Sequence, residues 1–261
     1  MIRRMKRALK IAGLVVVVLV VAVVAVLAAT FMGRQSIPDG AEVNGFRIVK
    51  DGVVSVAVIP VSENEVALVD AGNDKNATAI LAELSRRHLG AGAVKAILIT
   101  HGHPDHTGGA GVFPNAQVIS LETEKPLVEG RVGAKGPLTR LMPVSPTGIT
   151  VAKTVKDGDT LTLGTHQVRV FAVPGHTQGS AAYLVDDVLF MGDAADAKSD
   201  ATVIGSPWIF SDSQSQDRQS LVALDARLAR DSVPVKEMVF SHSGVLANGR
   251  EPLDAFAASA R

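Results

Sequence analysis

Three of the chain's seven histidines fall in one run, Thr100-His101-Gly102-His103-Pro104-Asp105-His106, directly after the apolar stretch Val94-Lys95-Ala96-Ile97-Leu98-Ile99. That stretch has the β-branched, apolar composition of a buried strand. Gly102 and Pro104 then force a turn, so the imidazoles stand on a loop at a strand end. Alternate residues of such a loop fan outward: His101 and His103 can grip one ion while Asp105 and His106 turn toward a second beside it. One short peptide thus seeds two metal positions.

Further motifs follow in order. Asp157 to Gly164 reads as a turn entering a strand, and Val168 to Val173 as a second strand, after which comes Pro174-Gly175-His176-Thr177-Gln178-Gly179-Ser180. Strands around Ala181 to Val185 and Val188 to Met191 lead into Gly192-Asp193. Near the end stands Val239-Phe240-Ser241-His242-Ser243-Gly244, and upstream Ala67-Leu68-Val69-Asp70-Ala71-Gly72. A lone Gly-His or Gly-Asp is ordinary turn chemistry. Five motifs in this order, with strands between them, are not. The pattern resembles the metallo-β-lactamase superfamily over roughly residues 42 to 245.

The resemblance implies a ligand set. His101, His103 and His176 would hold the first metal, and Asp105, His106 and His242 the second, with Asp193 bridging them. Asp70 would orient ligands rather than bind metal. Asp105 would also act in catalysis, steering the attacking hydroxide held between the metals or shuttling a proton. The expected cofactors are two divalent ions, zinc first, although His/Asp ligands also suit iron or manganese.

The same resemblance implies an α/β fold, the αβ/βα four-layer sandwich of the metallo-β-lactamase fold, over residues 42–261, and the uncharged run Ile11 to Met32 adds one transmembrane helix before it. Residues 33–41 read as a linker. Periodicity places helices at Lys75 to His88 and at Ser215 to Ala229, the second with an apolar stripe of Leu221, Leu224, Ala226 and Leu228. Strands are expected around Val43 to Val49, Val53 to Ile59, Val66 to Val69, Gln117 to Ile119 and Val235 to Phe240.

The N-terminus is a different object. Ile11 to Met32 carries no charge, and a helix of that length spans roughly 33 Å, enough for a bilayer core. A membrane anchor over residues 11–32 is expected. A cleaved signal peptide is the rival, with Ala28 and Ala29 near a cut site and a secreted product as its consequence. Arg3, Arg4, Lys6, Arg7 and Lys10 precede the run, which keeps residues 1–10 cytoplasmic and the catalytic domain outside.

Those five cations also mask the charge of the rest. The whole chain balances at 26 basic and 26 acidic residues, so the remainder is acidic by five. A nucleic-acid substrate is therefore not expected, because phosphate backbones call for basic surfaces. The expected partners are a small-molecule substrate and, through the N-terminal helix, the membrane.

A hydrolase of a small ester, thioester or lactone follows from the resemblance, with an iron-dependent sulfur dioxygenase as the alternative. With no cysteine in the chain, the lactamase branches that place cysteine on the second metal are excluded. Lactonases of this superfamily carry a tyrosine three residues after the bridging aspartate, where this chain has Asp196. The single tyrosine, Tyr183, lies in an apolar strand and reads as core with a satisfied hydroxyl. His88 reads as a partner of a helix C-terminus, and His166 as an exposed residue opening a strand. Glu129 to Thr150, with Arg131, Lys135 and Arg140, is either a lid or a solvated loop. Trp208 either lines the pocket or packs.

Overall fold

The computed structural model describes residues 2–260 and divides after Arg34 into two compact units. The first contains a single helix, α1 (Ile2–Phe31), in which the stretch Arg3–Phe31 has a mean hydropathy of 3.4 at its most apolar and is long enough to cross a membrane.

The second unit is built on two sheets. Strands β1 (Glu42–Val43), β2 (Phe46–Asp51), β3 (Val54–Ser62), β4 (Glu65–Val69), β5 (Val94–Leu98), β6 (Gln117–Leu121) and β7 (Lys153–Val155) lie side by side in chain order. Pairing is antiparallel as far as β4 and parallel from β4 to β7. The parallel connections carry helices: α2 (Thr78–Arg86) between β4 and β5, α3 (Pro104–Thr107) between β5 and β6, and α4 (Lys125–Val128) after β6. The second sheet runs β15-β14-β11-β10-β9-β8, from β8 (Thr160–Leu163), β9 (His166–Ala172), β10 (Ala181–Val185), β11 (Val188–Phe190), β14 (Glu237–Val239) and β15 (Val245–Leu246). A ribbon of β12 (Ala195–Ala197) and β13 (Val203–Gly205), then α5 (Gln214–Arg230) and α6 (Glu251–Ser259), complete it.

Strand alternation builds the layers, because successive side chains point to opposite faces. Ile48, Ile59, Leu98, Val170, Tyr183 and Phe190 pack between the sheets. Their neighbours Val49, Val58, Ile97 and Ile99 face away, onto Ile80 and Leu84 of α2. On the other side Phe171, Ala182 and Leu184 meet Leu221, Leu224 and Leu228 of α5 and Leu253 of α6. Helix, sheet, sheet, helix is the αβ/βα sandwich. Truncating one of these buried leucines to alanine costs about 2–5 kcal/mol.

Several local expectations need correction. Helix α2 begins at Thr78, not Lys75, because Ala77 takes a left-handed conformation (φ 49°) and the Asp74 carboxylate accepts from the Thr78 amide at 3.1 Å. On α5 the fourth inward position is Asp225, held by Arg250 Nη1 at 2.9 Å, and Ala226 is exposed. Asn44 and Gly45, both at positive φ, close a tight hairpin between β1 and β2, so the single strand expected from Val43 is two. His166 is half-buried, with Nδ1 2.6 Å from Asp186 Oδ2 and Nε2 2.8 Å from the Pro60 carbonyl.

Candidate metal centre

Strands β4, β5 and β11 and the segment after β14 end near one another, and each delivers part of a polar cluster sunk in an apolar protein. Beyond β5 the chain passes through His101, Gly102 and His103 before Pro104 opens the single turn α3 at its first position, where a missing amide costs nothing. Gly102 is needed there because a Cβ would stand 2.7 Å from the Val128 amide nitrogen of α4. Gly175, at φ 146°, likewise lets the His176 loop lie against the backbone of Asp217, 2.3 Å from where its Cβ would be.

All seven residues expected as metal ligands come together. His101 Nε2 and His103 Nδ1 are 3.0 Å apart, His176 Nε2 and His103 Nδ1 3.0 Å, and His176 Nε2 and His101 Nε2 3.1 Å. One proton can bridge only one pair in such a triangle. The remaining lone pairs face each other, an arrangement that a shared cation at its centre satisfies. Burial, reinforced by the neighbouring histidines, holds His101 well below the usual imidazole pKa; burial also lowers His103 and takes His176 down to about 3. Neutral imidazoles are the form that binds metal.

The second group is carboxylate-rich. His242 Nε2 lies 3.1 Å from Asp193 Oδ2 and 3.2 Å from Asp105 Oδ2, and His106 Nε2 lies 3.3 Å from Asp193 Oδ1. Asp193 Oδ2 is also 3.5 Å from His176 Nε2, so this carboxylate faces both groups. Burial opposes a charge on His106, yet Asp193, Asp70 and Asp105 together raise its pKa well above the usual value. His242, against the same cost of burial, is raised to about 10 by Asp193 and Asp105. The carboxylates thus hold positive charge at this position. His106 Nε2 and Asp193 Oδ1, buried and facing each other at 3.3 Å, make no well-directed hydrogen bond, so both are donor atoms suited to an ion. The residues fit a pair of divalent cations.

Partners outside this set aim the rings. Asp70, itself at φ 61°, accepts from the Thr100 amide at 2.8 Å and sits 2.8 Å from His106 Nδ1, which turns His106 Nε2 toward Asp193. His242 Nδ1 donates to the Val53 carbonyl at 2.7 Å, and His176 Nδ1 meets Ser211 Oγ at 3.0 Å. Glu124 takes the Gly102 amide at 2.8 Å on Oε1 and also accepts from Thr177 and Gly179. Burial pushes its carboxyl up to about 7. Sequence reading did not single out Glu124, Ser211 or Thr100. Thr100 stands inside the histidine run, but nothing local marks Glu124 or Ser211.

The model of one protein family, the metallo-beta-lactamase superfamily, matches residues 49–242. The chain belongs to the metallo-beta-lactamase superfamily. Among its relatives, a hydroxyacylglutathione hydrolase of Aliivibrio fischeri is 34% identical over 51% of this chain and 43% of its own length. One of Photobacterium profundum is 32% identical over 63% of this chain and 54% of its own. The chain therefore spans about half the length of the curated relatives it matches. A solved metallo-beta-lactamase family protein of Thermus thermophilus superposes with a TM-score of 0.60 at 24% identity, over 84% of this chain and 80% of that one. At that identity the likeness speaks for the fold alone.

Three further side chains have defined surroundings. Arg131 is paired with Glu129 at 2.5 Å and its own side chain is exposed. Trp208 is exposed and does not pack into the core. Tyr183 donates its hydroxyl to the Ile99 carbonyl at 2.9 Å and is fully buried, as a core residue with a satisfied hydroxyl should be.

Proposed function

We propose that this chain is a metal-dependent hydrolase, with two divalent ions, zinc first, that cleaves an ester, thioester or lactone of a small molecule. The observation that carries the proposal is the position of Asp193, whose two oxygens face the His101/His103/His176 group and the Asp105/His106/His242 group at once. The names of the curated relatives, hydrolases of hydroxyacylglutathione, agree with that chemistry.

His101, His103 and His176 would hold one ion and Asp105, His106 and His242 the other, with Asp193 shared. When bound, such ions supply a Lewis acid for a carbonyl oxygen and water acidic enough to ionise near neutral pH. The chain's own residues do the rest. Asp70, Ser211 and the Val53 carbonyl fix the tautomers and angles of His106, His176 and His242 before substrate arrives, which spares reorganisation during reaction. Asp105 is the most exposed of the seven, at 29% for its side chain, and so lies where water and substrate enter. Burial disfavours its charge, but His106 and His242 take its pKa down to about 2, so it stays ionised and accepts a hydrogen bond from the entering water. The other candidate ligands are nearly enclosed and exclude bulk solvent.

The helix α1 would tether the domain, with the cations of its N-terminal end on the cytoplasmic side and the catalytic unit outside. Full-length protein loaded with zinc should hydrolyse at least one of a simple ester, thioester or lactone series, and His103→Ala should lower kcat/KM by about a thousandfold or more. Equal rates in His103→Ala and the parent would overturn the proposal.

A further inference from the structure

Among the described residues 35–260, six large apolar side chains stand exposed, by 49% to 74%: Val53, Val132, Leu141, Met142, Val144 and Trp208. Scattered singly they would need no explanation. They are not scattered. Trp208 precedes Ser211, whose hydroxyl meets His176 Nδ1 at 3.0 Å, and Asp212 donates its amide to the His176 carbonyl at 2.9 Å. The strap carrying the next four is stitched to that segment: Lys135 N to Asp212 Oδ1 at 2.7 Å, and Leu138 N to the Ile209 carbonyl at 2.9 Å. Its far end is pinned by Thr147 Oγ1 on the Val128 carbonyl at 2.8 Å. Val53 belongs to the β2–β3 hairpin whose carbonyl takes His242 Nδ1 at 2.7 Å. Every one of the six therefore sits on a segment bonded to His176 or His242, or on the strap stitched to one, and these two histidines belong to opposite groups of the centre.

We infer that these segments form an apolar rim that receives the hydrocarbon chain of an amphiphilic substrate, whose polar acyl bond reaches the centre. The inference rests on the hydrolase reading and narrows its substrate to molecules bearing an alkyl or acyl chain. Apolar surface held in water near a reacting centre is costly unless something covers it in the working state. Val53 lies on the hairpin that takes His242 Nδ1, and Trp208, Leu141 and Met142 lie on the segment that meets His176 and on the strap stitched to it, so a chain laid across these segments would pass one histidine of each group. Full burial of one methylene gives about a fourfold gain in affinity, so a half-covered rim should give about twofold per methylene.

Trp208 is the only tryptophan in the chain and so reports on the rim without any turnover. The full-length protein, embedded in lipid nanodiscs, would be titrated with sodium decanoate and with sodium acetate while Trp208 emission is followed. The expected result is a saturable blue shift with decanoate and none with acetate. In Leu141→Ser/Met142→Ser the half-saturation point should rise at least fivefold, with an unchanged thermal melt showing that these exposed positions left the fold intact. Three results would overturn the inference: superimposable acetate and decanoate titrations; a decanoate response unchanged in the double variant; or emission already shifted to the blue before ligand, which would place the bilayer on the rim. Hydrolysis of an acetyl ester by protein that fails the decanoate titration would remove this inference alone. Saturable decanoate binding by protein inert toward every ester would instead remove the hydrolase reading.

Discussion

Glu124 Oε1 accepts the amide of Gly102 at 2.8 Å, so a buried carboxyl beyond β6 holds the peptide between His101 and His103. Its other contacts, Thr177 and Gly179, follow His176 directly. One side chain thereby ties the two loops that supply the first three histidines. Replacing Glu124 with alanine leaves the buried Gly102 amide without its acceptor, while Thr177 keeps Ser180 Oγ at 2.8 Å. We expect a loss of about 1–3 kcal/mol in stability and weaker metal retention, read by thermal melting and by competition with a chelator. An unchanged melt and unchanged retention would contradict this role.

Asp70 presents the same logic at the second group. Asp70→Asn keeps a residue that tolerates φ 61° and keeps one acceptor for Thr100, but removes the charge that faces His106 Nδ1. Metal affinity should fall about 10- to 100-fold while the fold survives. Titration with zinc against a fluorescent chelator measures it, and affinity within twofold of the parent would count against the role.

A pH effect follows from Asp217, a buried carboxyl on α5 that accepts from the Ser206 amide at 3.0 Å. Burial pushes it up to about 7. Between its ordinary value near 4 and about 7, the folded chain keeps a proton that the unfolded chain has released, so stability falls as pH rises through that window. The fall is on the order of 4 kcal/mol for such a shift. Asp217→Asn has no proton to lose, so its melting temperature should decline less between pH 5 and pH 8 than the parent's. Parallel declines would show that Asp217 does not titrate there.

Tyr183→Phe separates a packing role from a chemical one. The change leaves the buried Ile99 carbonyl without the hydroxyl that reaches it at 2.9 Å, at a cost of about 1–2 kcal/mol. Hydrolytic kcat/KM should stay within twofold of the parent, and a hundredfold loss without unfolding would move Tyr183 into the chemistry.

What the sequence discloses here is what is local. His101, His103, Asp105 and His106 lie within one turn of chain, and the strand before them is legible from composition alone. Alternation along β2, β5, β9 and β10 likewise separates the inter-sheet core from the outer layers. Glu124 was not legible, because the amide it accepts is 22 residues away and its purpose exists only once β5 and β6 pair. Ser211 reaches His176 across 35 residues, with no pattern to announce it. Ala226 and Asp225 traded places because periodicity weighs apolarity, whereas Arg250, 25 residues on, makes the buried carboxylate acceptable. The Asn44-Gly45 turn did carry a signal, in the residue pair that positive φ at both positions favours. The apolar rim was invisible because solvent exposure of a valine or leucine is a property of the fold.

The most direct test of the two-ion centre is the metal content of the purified full-length protein, counted per chain by elemental analysis beside that of His242→Ala. Close to two divalent ions in the parent and close to one in the variant is the expected result. A parent that retains one ion or none after exposure to zinc, or a variant that still holds two, would contradict the assignment of Asp105, His106, Asp193 and His242 to a second site.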